Sequence, residues 1–218
     1  MPQGYVKTAD LPQVIPVFPL DEVLLLPRGQ LPLVIFEPRY LNMVDDVMAG
    51  DRIIGMIQTA GGSRARPNLA PVGCAGRVTS YAETSDGRYL ITLTGVIRFD
   101  TAGELPVQTP YRQVRAGYSR FEADLQVQDD PDFDRANLLR CLKAYLARHM
   151  LDVDWSTAEA APEEALINSL CMGLPFDPAE KQAFLEAVDL PTRRETLCAL
   201  LEIDAAEPTE GGPTTAMQ

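Results

Sequence analysis

The sequence predicts an α+β protein in which short strands come first and helices follow. Three observations support this fold class. The first 120 residues contain many short β-rich pieces separated by Gly and Pro. After about residue 125 the apolar residues recur at helical spacing. The charge changes at the same place, because residues 1–120 carry 12 basic and 11 acidic side chains whereas residues 121–218 carry 7 and 20.

The β-rich part is expected to form a small barrel or a sandwich. Tyr89, Ile91 and Leu93 alternate with more polar neighbours, as in a half-buried strand. Asp86 and Gly87 precede this strand and predict a tight hairpin turn. Many short strands with turn residues between them, interrupted by one helix, are typical of a barrel or sandwich. The β-rich pieces are "QVIPVF", "EVLLL", "LPLVIF", "RIIGMIQ", "GRVTSY", "RYLITLTGVIRF" and "YRQVRAGY".

The one helix in this part is predicted to begin at Pro38. Proline suits the first helical turn and restricts Glu37 to extended geometry. We expect the Glu37 carboxylate to accept hydrogen bonds from the free N–H groups of that turn. Glu37 and Arg39 are therefore interpreted as structural residues rather than an acid–base pair. A core-facing stripe follows, formed by Leu41, Val44 and Val47 or Met48.

The second half predicts four helices. Asp177 can cap one of them, Pro178 fits its first position and Glu180 completes a capping box. Pro162 and Pro191 lie near the starts of two others. The four predicted helices lie near residues 134–150, 162–172, 178–188 and 191–203.

The change in period and charge also predicts the domain organisation. Polar residues at 126–134 indicate a linker. We expect a β-subdomain over residues 1–122, a helical subdomain over residues 123–205 and a disordered tail over residues 206–218.

Composition argues against several classes of function. The helical half has a net charge near −13, which would repel a phosphate backbone and argues against a general nucleic-acid binder. The apolar runs are far shorter than the ~20 residues of a membrane-spanning helix. The N-terminus lacks the apolar core of a secretory signal, so a cytoplasmic protein is expected. The sequence gives no information on oligomeric state.

No catalytic, cofactor or metal site is predicted. Cys74, Cys141, Cys171 and Cys198 are widely spaced and the chain has one histidine, so we expect buried thiols instead of a zinc site or disulfides. His149 follows a helical stripe and is interpreted as a charge at a helix C-terminus. No serine lies in a G-x-S-x-G elbow.

Three segments in order resemble the N-terminal domain of the ATP-dependent protease Lon and the stand-alone bacterial proteins that carry this substrate-binding domain. The likeness runs from about Val14 to about Asp204. The segments are "IPVFPLDEVLLLPRGQLPLVIFEPRYLNMV", "GRVTSYAETSDGRYLITLTGVIRF" and "LCMGLPFDPAEKQAFLEAVDLPTRRETL".

This resemblance implies a PUA-like β-barrel followed by a helical bundle, and a role in recognising other proteins. The sequence contains no G-x-x-x-x-G-K-[ST] phosphate loop, and we expect its 218 residues to include no ATPase or protease domain. We therefore expect a non-enzymatic module that binds protein or peptide clients.

Five residues are candidates for partner binding. Leu25, Leu26 and Leu31 lie near a Pro-Arg-Gly turn and could form an exposed apolar patch, although each could also face the core. Arg64 and Arg66 lie in the Gly- and Pro-rich segment 61–71, which is either a binding loop or a solvated connector.

RNA binding is the alternative function, because the implied fold is PUA-like. The absence of an aromatic platform and the acidic second half count against it. The phosphate contacts would be Arg64, Arg66, Arg77 and Arg88.

Overall fold

A computed structural model describes residues 5–63 and 66–206 as a six-stranded sheet with helices packed on it. The strands are β1 (Val14–Pro19), β2 (Gln30–Ile35), β3 (Ile53–Ser63), β4 (Arg66–Glu83), β5 (Tyr89–Glu104) and β6 (Arg112–Gly117). The α-helices are α1 (Pro38–Ala49), α2 (Arg135–His149), α3 (Trp155–Ala160), α4 (Glu163–Gly173), α5 (Pro178–Glu186) and α6 (Leu190–Ala206). Two 3-10 helices span Thr8–Asp10 and Ser119–Leu125. The predicted α+β class is confirmed.

Strand β5 organises the sheet because it pairs with β2, β4 and β6. The strand order is β2-β5-β4-β3-β1-β6, and the β5–β6 pairing closes a cycle of five strands from which β2 branches. All of these pairs are antiparallel except β1–β3. The predicted hairpin between β4 and β5 is confirmed, with the Thr84 N–H donating to Arg88 O at 2.9 Å and Gly87 at a φ of 77°.

Helix α1 begins at Pro38 as predicted, but the expected role of Glu37 is wrong. Glu37 is the N-cap residue, yet its side chain accepts no hydrogen bond from the first turn. Its carboxylate instead accepts a hydrogen bond from Arg39 Nε at 2.9 Å. Both side chains of this pair are about half exposed, so it is a surface ion pair. The buried stripe is formed by Tyr40, Met43, Val44 and Val47, whereas Leu41 and Met48 are only partly buried.

The four helices predicted for the second half are confirmed within three residues at each end. The capping box at the start of α5 is present, with Glu180 N–H donating to Asp177 Oδ1 at 2.8 Å. Helix α3 was not predicted. Its start is capped by Asp154, whose side chain accepts hydrogen bonds from the N–H groups of Ser156 and Thr157.

Buried apolar side chains of the sheet and of the helices form one cluster. Phe99 of β5 and Phe184 of α5 are both fully buried in it. No helix or strand lies between Leu125 and Arg135, where the linker was expected. The division into subdomains at residue 122 stays a prediction. The predicted tail lies outside the described residues except for Ala206, which ends α6.

Candidate functional site

A cleft of about 780 Å³ separates the segment before β2 from helix α4. This volume lies within the range of about 300–1,000 Å³ that is typical of ligand pockets. We call the cleft the loop–α4 groove. One wall is formed by Glu22, Val23, Leu24, Pro27, Arg28, Gly29, Gln30 and Leu31, and the other by Val127, Pro162, Glu164, Ala165, Asn168, Ser169, Met172 and Gly173.

The walls of the groove are mainly apolar. Leu31 and Met172 are partly buried and pack against the core. Val127 is 67% exposed although it is apolar. Such exposed apolar surface inside a concave site is typical of surfaces that contact a partner. The side chains of Gln30 and Ser169 make no hydrogen bond to another described residue, so they are available to a bound molecule.

An ion pair joins the two walls. Arg28 Nε donates to Glu164 Oε2 at 2.8 Å, and Arg28 Nη2 bonds to Glu164 Oε1. Arg28 Nη1 also donates to Asp124 O at 2.6 Å. Glu164 is 5% exposed, so its charge is held by this pairing in a largely buried position. Arg28 adopts a φ of 63°, which is uncommon for a residue with a Cβ.

The loop that carries Arg28 is held on β5 by backbone hydrogen bonds. Arg28 N–H donates to Gly95 O at 2.8 Å, and Gly95 N–H donates to Gly29 O at 2.8 Å. A Cβ at Gly95 would overlap with the carbonyl oxygen of Leu26, so this close approach requires glycine. On the other wall, Asn168 Nδ2 donates to Pro27 O at 3.2 Å. These bonds fix the position of the loop relative to α4.

A buried arginine supports the α4 wall from behind. Arg193 Nη1 donates to Asn168 Oδ1 at 2.9 Å and Arg193 Nε donates to Phe184 O at 3.1 Å. Its Nη2 has no hydrogen-bond partner in the described part of the chain. Burial lowers the pKa of the Arg193 guanidinium to about 10, which still leaves it charged at neutral pH.

Two of the three leucines that were candidates for partner binding are buried. The expectation that they form an exposed apolar patch is therefore wrong. Leu25 is 1% exposed and Leu26 is 0% exposed. The cause is the inward course of the loop, which places the Leu25 side chain over Gly76 of β4 and the Leu26 carbonyl over Gly95. Leu31, by contrast, lines the groove.

Three of the four predicted arginines, Arg66, Arg77 and Arg88, are not part of the groove lining. Arg66 at the start of β4 pairs with Glu104 at the end of β5 at 3.1 Å, and Arg88 pairs with Asp86 at 3.0 Å on the β4–β5 hairpin. Arg77 lies 5.9 Å from the centroid of the Tyr5 ring. Arg64 lies outside the described residues.

The sequence reasoning missed the whole α4 wall. Pro162, Ala165, Ser169 and Met172 recur at intervals of three or four residues, which places them on one face of α4. This spacing is visible in the sequence. However, a helical stripe of proline, alanine, serine and methionine does not show by itself that a groove lies beside it.

The histidine, cysteine and acidic side chains of the described residues form no candidate metal centre. These residues contain no group of three or more His, Cys, Asp or Glu side chains that could hold a metal ion. Burial raises the pKa of the Cys74 and Cys171 thiols to about 12, which keeps them protonated and unreactive. His149 ends α2, as expected, and its Nε2 lies 2.9 Å from Asp204 Oδ1. Within the same residues, no helix is long and apolar enough to cross a bilayer.

Comparison with known proteins identifies the domain. Residues 14–202 match the family model described as the ATP-dependent protease La (Lon) substrate-binding domain. Lon protease 2 of Myxococcus xanthus is 25% identical over 213 residues, an alignment that covers 92% of this chain and 25% of the relative. The chain thus spans about a quarter of the length of that protease, and the match is to the substrate-binding domain, not to the ATPase or protease domains.

Solved structures agree on the fold. The Lon N-terminal domain protein from Xanthomonas campestris has a TM-score of 0.61 at 21% identity, covering 85% of this chain and 97% of its own. The N-terminal domain of the Mycobacterium avium complex Lon protease has a TM-score of 0.60 at 15% identity, covering 87% and 98%. Because the family model matches residues 14–202, the chain belongs to the Lon substrate-binding domain family.

Proposed function

We propose that this chain is a non-enzymatic module that binds apolar segments of protein clients in the loop–α4 groove. The observation that carries the proposal is a large, mainly apolar cleft with an exposed valine in a domain of a substrate-binding family. Membership of the substrate-binding family supports protein binding in general. The groove is the surface at which we propose that this binding takes place.

The chemistry of the groove fits an extended polypeptide. Apolar client side chains would contact Leu31, Val127 and Met172, which removes their apolar surface from water. The Gln30 amide and the Ser169 hydroxyl could hydrogen-bond the client backbone, because neither has a partner within the described chain. Arg28 is already bonded to Glu164 and Asp124, so its role is to hold the walls together.

The finer features of the fold belong to the same proposal. We take the closed cycle of strand pairings around β5 to be the PUA-like barrel, and the packed helices α2 to α6 to be the helical bundle. The cytoplasmic location stays a prediction from the sequence. The RNA-binding alternative lacks comparable support, because Arg66 and Arg88 are both engaged with carboxylates.

The test is to remove apolar surface from the groove without touching the core. Val127→Ser should weaken binding to reduced, carbamidomethylated α-lactalbumin three- to tenfold, equivalent to about 0.7–1.4 kcal/mol. Val188→Ser is the matched control, because Val188 is 63% exposed and lies outside the groove lining. Fluorescence anisotropy with labelled α-lactalbumin would give both dissociation constants.

A second pair of variants blocks the groove. Ala165→Gln places a larger uncharged side chain on the groove face of α4. Ala183→Gln makes the same change at an exposed position of α5 that is not part of the groove lining. Only the first should weaken binding. Equal affinities for both members of each pair, or no binding of the unfolded protein at all, would reject the groove as the client site.

A further inference from the structure

The charged residues that line the groove carry a net negative charge. Arg28 and Glu164 are paired with each other, so they contribute little net charge. Glu22 is exposed and is the remaining charged residue of the lining. The Lys181 ammonium donates to Glu22 O at 2.6 Å and its charge interacts with that of Glu22, but Lys181 is only 6% exposed. The exposed charge of the lining is therefore the Glu22 carboxylate.

A further exposed carboxylate lies close to the groove lining in the sequence. Asp129 is exposed and follows Val127 of the lining by two residues. Among the described residues, Asp129 forms no ion pair. Its negative charge adds to that of Glu22.

The basic residues of the helical part do not offset this charge. Residues 121–206 contain 18 acidic and 7 basic side chains. Arg135 is committed to the carbonyls of Ala158 and Ala161, at 3.0 and 2.8 Å. Arg194 donates to Asp130 at 2.5 Å, and Arg193 is buried. The α4 side of the groove thus presents a negative field to solvent.

This field discriminates between ligands that are equally apolar. Exposed charges a few ångströms apart still attract or repel one another in water, and salt screens this interaction over about 10 Å at 0.1 M. Complementary charge at the rim of an interface selects partners and speeds their association, while like charge excludes them.

We propose that the groove selects apolar client segments flanked by lysine or arginine, and discriminates against segments flanked by aspartate or glutamate. This inference rests on the proposed function and specifies its ligand. The apolar centre of the segment occupies the groove, and its basic flanks lie near Glu22 and Asp129.

The test uses three labelled peptides with one apolar centre, Val-Leu-Phe-Val-Leu, flanked on each side by two lysines, two serines or two glutamates. At 20 mM NaCl the lysine-flanked peptide should bind at least tenfold more tightly than the glutamate-flanked one, with the serine-flanked peptide between them. At 300 mM NaCl the three dissociation constants should converge. Glu22→Gln should reduce the preference, and Glu83→Gln, which removes an exposed carboxylate outside the groove lining, should not.

The outcomes separate this inference from the proposed function. Equal affinities of the lysine and glutamate peptides at low salt, with the serine peptide still bound and still sensitive to Val127→Ser, would overturn the charge preference and leave the groove as the client site. Lysine-peptide binding that is unchanged by Val127→Ser would show attachment elsewhere on the acidic surface and would also overturn the inference. If no peptide binds, the proposed function fails as well.

Discussion

Arg98 and Asp124 form a buried, bidentate ion pair between the sheet and the segment that leads to the helices. Arg98 Nε and Nη2 donate to the two oxygens of the Asp124 carboxylate, each at 2.8 Å, and both side chains are 1% exposed. Arg98 Nη1 also donates to the carbonyls of Leu185 and Ala187 at the end of α5. One guanidinium on β5 therefore contacts two other parts of the chain, the segment with Asp124 and the end of α5.

The first prediction concerns this pair. Asp124→Asn should lower the free energy of unfolding by about 3–5 kcal/mol, because it leaves the Arg98 charge buried without its counterion. Asp100→Asn is the control, since it breaks an exposed pair with Arg120 at 3.2 Å and should cost less than about 1 kcal/mol. Urea unfolding of both variants measures the difference. Similar losses in the two variants would contradict the assigned role of the buried pair.

The second prediction concerns the loop that forms one wall of the groove. Gly95→Ala should destabilise the protein by about 1–3 kcal/mol, because the new Cβ would overlap with the Leu26 backbone, which cannot move aside as a side chain could. Gly173→Ala should be neutral or stabilising, because no atom lies within 4 Å of its added Cβ. Thermal unfolding checks both variants, and an unchanged midpoint for Gly95→Ala would show that the loop does not lie as closely on β5 as described.

The third prediction follows from the corrected role of Glu37. Glu37→Ala should change the free energy of unfolding by less than about 1 kcal/mol, because its carboxylate forms a half-exposed pair with Arg39 and caps no helix. Asp177→Ala should cost about 0.5–2 kcal/mol, because Asp177 does cap α5. A loss for Glu37→Ala as large as that for Asp177→Ala, measured by the same urea titration, would restore the capping role.

The fourth prediction concerns the pH dependence of α3. Hydrogen bonds from the hydroxyls of Ser156 and Thr157 hold the pKa of Asp154 at about 2, below its usual value of 3.8. Because the folded pKa is the lower one, the stabilisation of α3 by this carboxylate is present above about pH 4 and is lost as the pH falls towards 2. Carbon-13 NMR titration of Asp154 Cγ measures this pKa. Ser156→Ala should raise it, and a wild-type pKa near 3.8 would show that the cap does not form in solution.

Local signals in the sequence were sufficient for most helices. Pro38, Asp177 and Pro178 mark helix starts through backbone geometry and capping, which depend on a few adjacent residues. Helix α3 was missed because it is only six residues long and its capping residue, Asp154, lies in a generally polar stretch. Short elements of this kind lack the repeated apolar spacing on which helix prediction depends.

The groove was not predictable because its walls come from distant parts of the chain. The hydrogen bond between Asn168 and Pro27 joins residues 141 positions apart, and the Arg28–Glu164 pair spans 136. The burial of Leu25 and Leu26 likewise depends on glycines of β4 and β5. Sequence patterns show that these residues are apolar, whereas their exposure is decided by long-range packing.

The pairing of β1 with β6 has a consequence for synthesis of the protein. Val14 lies opposite Arg115, so β1 cannot complete its pairings until about 100 further residues have left the ribosome. At about 5–20 residues per second this interval lasts about 5–20 s. During that time the apolar stretch Val-Ile-Pro-Val-Phe-Pro of residues 14–19 lacks at least one of its two neighbouring strands, β3 and β6. The nascent chain thus displays, while it is being made, an apolar segment of the kind that the finished domain is proposed to bind.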